Sequence, residues 1–413
     1  MKKILIIFIS LFLLTACDKT GEIPEEKEKY EVYTLYIYTE DSKPITSKED
    51  YINGFVEVKG GKYACEPLEM EIRGRGNSTW MFEKKPYRIK MKERYSLLGM
   101  KEIKNYVLLA EYSDKSLLRN YIAHKLSSYL NTYYVLETRH IELYLNDEYQ
   151  GVYLLTEQIK NDKKGLVVND YLLELEQDKA RREGEGLENK HWFTSGKTSF
   201  VIKEPDMDDI KDAAEIAQKI DYLKGFIGEL TNSLSTDEYD TYIDVDNFID
   251  YFVLHEIFKN VDIGYSSVFS VIKDNKLYMG PNWDFDISLG NGDYFNSSYK
   301  LYRNRYNPWF DTAIDNQAFK ERYLMRLLEV LEDIMPKLIE DLDYAYDGLK
   351  ESAERNFDKW DILGTYTWPN PEAMWTINTY EGQYRYIREY LVKRTEWLKN
   401  EIKTKGYYDY KPE

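Results

Sequence analysis

Asn260-Val-Asp262-Ile-Gly-Tyr-Ser-Ser-Val268-Phe-Ser-Val-Ile272, followed by Lys273-Asp-Asn-Lys276 and by Leu277-Tyr-Met279-Gly-Pro-Asn-Trp283-Asp284-Phe285-Asp286, is the stretch from which the rest of the chain can be placed. Two short runs rich in β-branched and aromatic residues flank a polar turn, which predicts a hairpin of Val268–Ile272 with Leu277–Met279. A hairpin returns its ends to one place, so Asp262 at the entrance and Asp284 and Asp286 at the exit are expected to converge. Three carboxylates at one point repel one another unless a proton or a cation separates them. Hard oxygen ligands of this kind suit Mg²⁺ or Mn²⁺, above all when phosphate oxygens complete the coordination.

Working outward, Asp244–Lys259 carries Phe248, Ile249, Phe252, Val253 and Ile257 at helical spacing and ends beside Asp262. Further helices are predicted over Met207–Leu234, over Asn316–Phe357 with a break near Pro336, and over Glu381–Lys403. Trp360–Trp375, rich in Pro and Trp, reads as a surface loop lying over something. Upstream the pattern changes to strands at 32–39, 68–73, 87–91, 106–110, 141–145 and 152–155, with one helix over 116–130. The fold class expected is α+β. Residues 30–205 form an antiparallel-sheet lobe, and 206–405 form a mostly helical lobe that carries the aspartate hairpin.

With 413 residues, 43% of them hydrophobic, the chain can bury a large core. Its net charge of −17 argues against nucleic acid as a partner, because neutralising phosphates takes a basic surface. Met1-Lys-Lys3 and the apolar run Ile4–Leu14 form a secretory leader too short to span a bilayer. The leader ends in Leu14-Thr-Ala-Cys17, which resembles the lipobox of bacterial lipoproteins. Residues 1–16 are then a signal peptide, Cys17 the lipidated first residue, and 17–29 a polar tether, which places the protein at the cell envelope, facing the periplasm or on the outer-membrane surface. Once Cys17 is lipidated, Cys65 has no partner for an intramolecular disulfide. His124, His140, His191 and His255 are isolated and give no zinc spacing. The 39 tyrosines suit either strand positions or a glycan-binding face.

Four further stretches carry candidate chemistry. Arg73-Gly-Arg-Gly-Asn-Ser-Thr-Trp80 combines glycines with Arg75 and Asn77, a pattern suited to an anion or to a turn closed by arginine ion pairs. In Lys84-Lys-Pro-Tyr-Arg-Ile-Lys90, strand alternation puts Lys85 on the apolar face with Tyr87 and Ile89, where a buried cation needs an anionic partner. Ser113 or Asp114 starts a helix whose Arg119 either faces the site or pairs with Asp114. Glu157, after the hairpin that ends in Leu154-Leu-Thr-Glu157, is the candidate partner of Lys85. The clustered acids fit a metal better than the two separated carboxylates of a glycosidase.

In this order, Gly74-Arg-Gly-Asn-Ser-Thr-Trp80, Lys84-Lys-Pro-Tyr87, Tyr106-Val-Leu-Leu109, Asp114 through Arg119-Asn120, Gly151-Val-Tyr153 with Glu157, Asn260 with Asp262, and Trp283-Asp-Phe-Asp286 resemble the CotH family of atypical secreted protein kinases. The resemblance implies a two-lobed kinase-like fold that moves the γ-phosphate of ATP to a protein serine or threonine with Mg²⁺ or Mn²⁺. Asp262 matches the catalytic aspartate, Asp284 the metal-binding aspartate, and Lys85 the lysine on the nucleotide phosphates; Arg75, Asn77, Arg119 and Glu157 fall in motifs around the nucleotide, and Asp286 adds a metal ligand. Where relatives carry an Asn about five residues after the catalytic aspartate, this chain has Ser266-Ser267. The alternative is a kinase-like module with little or no turnover that binds protein or glycan at the cell surface.

Overall fold

The computed structural model describes residues 30–177, 189–293 and 298–405; the leader, Cys17 and the tether lie outside them. The chain is α+β. Seven strands, β1 (Tyr33–Thr39), β2 (Ile52–Val58), β3 (Cys65–Gly74), β4 (Tyr87–Tyr95), β5 (Ile103–Leu109), β6 (Thr138–Leu145) and β7 (Glu148–Glu157), close into a barrel in the order β1-β2-β3-β4-β5-β7-β6. The seam is parallel, with Tyr33 of β1 opposite Ile141 of β6 and Ile37 opposite Leu145. This corrects the expectation of a purely antiparallel sheet. β6 and β7 pair as a local hairpin, whereas β1 meets β6 only through closure, a long-range pairing with no local signature. Alternate residues point inward, so Leu35, Ile37, Val56, Val58, Met70, Ile72, Ile89 and Met91 fill the barrel. Helix α1 (Arg119–Ser127) follows β5.

A second sheet has the order β12-β11-β8-β10-β9, from β8 (Tyr171–Leu175), β9 (Trp192–Ser195), β10 (Thr198–Glu204), β11 (Val268–Lys273) and β12 (Lys276–Met279). The aspartate hairpin, β11–β12, is thus an edge of a larger sheet: Leu173 of β8 lies opposite Ser270 of β11 on one side and Ile202 of β10 on the other. Strands β8 to β10 belong by sequence to the segment before residue 205, yet they share a sheet with the hairpin and not with the barrel.

The remaining helices are α2 (Ala213–Ser233), α3 (Val245–Phe258), α4 (Pro308–Ala313), α5 (Gln317–Glu329), α6 (Met335–Lys359), α7 (Glu372–Trp375) and α8 (Tyr380–Lys405). Asp244 caps α3, its side chain accepting from Asn247 N at 3.0 Å, and Lys259 ends it with a left-handed backbone (φ 47°, ψ 50°). Every residue from Asn247 to Phe258 is buried, so α3 is the central helix of this half and not an amphipathic surface helix. Its two buried acids are paired, Asp250 with Arg326 at 2.7 Å and Glu256 with Arg394 at 2.6 Å. The single long helix expected over Asn316–Phe357 is α5 and α6 joined by a π-helical segment, Val330–Ile334. Pro336 sits in the first turn of α6, where its missing N–H is tolerated.

Beside the site the barrel packs against the second sheet and against helix α6. Val107, Leu136, Leu172, Phe269, Val271 and Trp283 share a small apolar cluster, packing β5 against β8 and β11. On β7, Asn356 of α6 accepts from Val152 N at 3.0 Å and from Lys84 Nζ at 2.9 Å. Gly151 permits that approach: its φ is +100°, and a Cβ there would lie 2.5 Å from Asn356 Oδ1.

Candidate active site

A cavity of about 1080 Å³ lies between the ends of β3 to β5 and the hairpin sheet. Arg73, Arg75, Asn77 and Arg88 line it from the barrel; Asp262, Ser267, Asp284 and Asp286 line it from the opposite side, and Trp368 and Pro369 of the Trp-rich loop stand at its edge. The three aspartates of the hairpin flanks therefore share one cavity, each half-buried.

Asp262 is set by the turn that ends α3. Its N–H donates to Asn260 Oδ1 at 3.0 Å, and its carbonyl accepts from Tyr265 N at 2.8 Å. Gly264 presses against the neighbouring loop: a Cβ there would lie 1.9 Å from Tyr306 O. Arg303 braces the turn from behind, donating to Asn260 O at 3.2 Å and to Val261 O. Burial, and then the charge of Asp284, push the Asp262 carboxyl up to about 7. Asp284 accepts from Ser267 Oγ at 3.0 Å and Asp286 from Ser113 Oγ at 3.3 Å. Burial raises Asp286 well above the usual carboxylate range, and the charges of Asp284, Glu111, Asp114 and Asp262 add to it. Ser267 and Asp284 both have left-handed backbone (φ 59° and 66°), local strain of the kind that clusters at functional sites.

Arg75 supplies positive charge opposite these acids. Its guanidinium lies over Trp283, 5.4 Å from the ring centroid; burial lowers its pKa, while Asp284 and Asp286 act to raise it. Asn77 also lines the cavity. The Gly-rich turn is partly engaged in its own packing, because Gly74 N donates to Ser47 O at 2.8 Å and Arg75 N to Pro86 O at 3.2 Å.

Three expected nucleotide residues are placed elsewhere. Lys85 does not line the cavity; its ammonium donates to Trp80 O at 2.8 Å. The buried lysine is Lys84, 1% exposed, which donates to Val152 O and Asn356. Strand alternation fails here because β4 begins only at Tyr87, and the residues before Pro86 are not on the ladder. Glu157 is not the partner of Lys85: it accepts from Lys101 Nζ at 3.1 Å, Glu137 N at 2.9 Å and Tyr134. Arg119 takes the second of its two alternatives. It is fully buried, pairs with Asp114 at 2.5 Å, and donates to Ser288 O at 2.9 Å, pinning the backbone just past the aspartates.

The sequence gives little sign of several residues that shape the cavity. Arg88 lines it from β4, where alternation with Lys90 marks it as a solvated position. Asn291 and Asn370 form a buried bridge: both donate to Ser113 O, at 3.1 and 2.8 Å, and Asn370 donates to Asn291 Oδ1 at 3.0 Å, tying the Trp-rich loop to the site. Glu111 lines the cavity after β5, and burial followed by the charge of Asp114 raises its pKa to about 8. Only the run of polar residues from Glu111 to Asn120, directly after an apolar strand, hints at their burial.

Among the described residues no three His, Cys, Asp or Glu side chains form a ready-made metal cage, so the aspartates share a cavity without meeting at one point. That suits Mg²⁺, which is commonly held by one or two carboxylates and completed by phosphates and water. Asp284 and Asp286, the latter's carboxyl raised by burial and then by the charge of Asp284, are the donor set that fits.

A family model described as CotH kinase protein matches residues 72–398, which takes in all of the residues that line the cavity except Lys48 and Glu49. Among curated proteins none matches the chain.

Proposed function

This chain belongs to the CotH kinase family, and on that premise we propose that it is an envelope-anchored protein kinase that transfers the γ-phosphate of ATP to a serine or threonine hydroxyl. One observation carries the proposal: Asp262, Asp284, Asp286 and Arg75 line a single cavity large enough for a nucleotide. The barrel covers the nucleotide as the upper of two kinase-like lobes, and the hairpin sheet with its helices forms the lower. Asp262 orients the acceptor hydroxyl and takes its proton as the oxygen bonds to the γ-phosphorus and the bond to the β,γ-bridging oxygen breaks, releasing ADP. Asp284 and Asp286 would hold Mg²⁺ or Mn²⁺, which when bound neutralises phosphate charge. Arg75 and Asn77, which line the cavity, orient the phosphates in place of Lys85, whose ammonium donates to Trp80 O. Lipidation of Cys17 anchors the protein to the membrane; no described helix is long and apolar enough to cross one.

Purified residues 20–413 with Mg²⁺ or Mn²⁺ and γ-labelled ATP are expected to label themselves or an added protein acceptor. Asp262→Ala and Asp284→Ala each remove the label. Label that persists in both variants would sink the assignment. A kinase-like binding module without turnover is the second reading, favoured by Ser267, whose hydroxyl donates to the Asp284 carboxylate at the position where the family resemblance implies an Asn. In that case ATP with metal raises the melting temperature and no label appears.

A further inference from the structure

The outer face of the β3–β4 ladder keeps one charge pattern until it reaches the cavity. Met70, Ile72, Ile89 and Met91 fill the barrel, so the residues that alternate with them point outward. Glu69 pairs with Lys92 at 2.9 Å, and Glu71 pairs with Lys90, directly opposite it, at 2.8 Å. The next outward pair is Arg73 opposite Arg88. Both arginines are half-buried and line the cavity, which the two acid–base pairs do not. Opposite charges facing each other across a ladder support it, and like charges destabilise it. The pattern therefore reverses, at a cost to the fold, where the ladder enters the cavity.

The protein does little to offset these two charges. Arg73 pairs with Glu49 at 3.7 Å, a long contact to a side chain that is 86% exposed. Its Nε is buried without a hydrogen-bond partner. Burial lowers the Arg88 pKa; Tyr51, by charge and hydrogen bond, acts to raise it, and the charge of Arg73 lowers it again. At Arg75, after burial and the charge of Asp284, the charge of Arg88 is the next influence. Arg75, Arg88 and Arg73 thus form one basic wall that starts beside the aspartates. A single carboxylate would neutralise one guanidinium of the three. A ligand that carries several adjacent negative charges, with oxygens that match guanidinium forks, satisfies the wall, and a nucleoside polyphosphate is such a ligand. We propose that Arg73 and Arg88 form a second phosphate site, next to Arg75, which holds the phosphates that stay on the nucleoside when the γ-phosphate leaves. The inference rests on the kinase proposal for the nucleotide as ligand, and on the arginine pair alone for the anion.

Pyrophosphate and ADP, both without metal, are the probes, titrated by calorimetry into the full chain, Arg88→Gln and Arg73→Gln, with melting curves for each protein. Each probe is expected to bind the variants at least tenfold more weakly, and ADP should displace pyrophosphate from the unsubstituted protein. Arg88→Lys, which keeps the charge and loses the fork, restores part of the affinity. Without ligand, both Gln variants should melt at or above the temperature of the unsubstituted protein, because the repulsion is relieved. In the labelling reaction KM for ATP rises in both variants, and KM for an acidic acceptor peptide stays unchanged. Arginines with only a structural role would give variants that melt lower and bind both probes as before, and that result overturns the proposal. So does a rise in KM confined to the acidic peptide, which would give the pair to the acceptor, or ADP that binds without displacing pyrophosphate. Pyrophosphate and ADP binding that depends on both arginines, in a protein that never labels itself or an acceptor, would sink the kinase proposal and leave this site standing.

Discussion

Asp262 can take a proton only when ionised, and its neighbours decide when that is. Burial and the charge of Asp284 bring its pKa up to about 7, against a smaller downward pull from Arg303. A cation held at Asp284 cancels the second of those causes. The acidic limb of the pH profile for kcat/KM should therefore lie near neutrality at limiting Mg²⁺ and move to lower pH as Mg²⁺ saturates. A limb that stays fixed at every Mg²⁺ concentration would separate the proton acceptor from the metal. Asp262, Asp284 and Asp286 are legible in the sequence because a hairpin is local: a short chain segment fixes where its two ends meet. Lys84 is not legible, since its partners Val152 and Asn356 are 68 and 272 residues away. Alternation, the one local rule at hand, does not operate before the strand begins at Tyr87.

At the scale of elements, the position of the barrel over the helices depends on how α6 meets β7. Asn356 is 2% exposed, and its Oδ1 serves both Val152 N and Lys84 Nζ. Asn356→Ala leaves a backbone N–H and an ammonium group buried with one partner fewer, a loss of about 1–3 kcal/mol. Denaturant melts should show that loss, and ATP-dependent labelling should fall further than Asn356's distance from the aspartates suggests, because Lys84 lies beside Glu111. An unchanged midpoint in denaturant would show that the contact is incidental. Element types are readable where a pattern is long and repetitive, as in α3, α8 and the β6–β7 and β11–β12 hairpins. β2 and β8 to β10 escape because Asn53-Gly54 interrupts one strand and the others lie among charged segments. The π-helical segment Val330–Ile334 leaves the helical pattern almost unchanged, so the sequence points to Pro336 for a break that begins before it.

For the whole molecule, the second sheet and the buried pairs of α3 with Arg326 and Arg394 bring residues from far apart in the chain together around the cavity, and that rigidity is what holds like charges side by side. The consequence is a stability that falls as those charges form. Asp262 and Glu111 have folded-state pKa values of about 7 and about 8, above the usual carboxylate range, and Asp286 is shifted the same way. A carboxyl whose pKa is raised on folding contributes fully below its unfolded value near 4 and loses that contribution as pH rises through the folded value. The metal-free protein should therefore lose stability from these groups between about pH 4 and pH 8. Lys84, lowered by burial to about 7, works in the opposite sense between pH 7 and its unfolded pKa of about 10.5, and ordinary surface pairs gain strength from pH 3 to 5. The difference between the unsubstituted protein and Asp286→Asn cancels both. Melting temperatures across this range should diverge as pH rises, with the Asn variant the more stable at pH 8. Mg²⁺ should raise the melting temperature of the unsubstituted protein more at pH 8 than at pH 5, and should do much less for the variant. Curves that run parallel with and without Mg²⁺ would mean that the carboxylates stay protonated or find protein partners of their own, and the cavity would then have no use for a divalent cation.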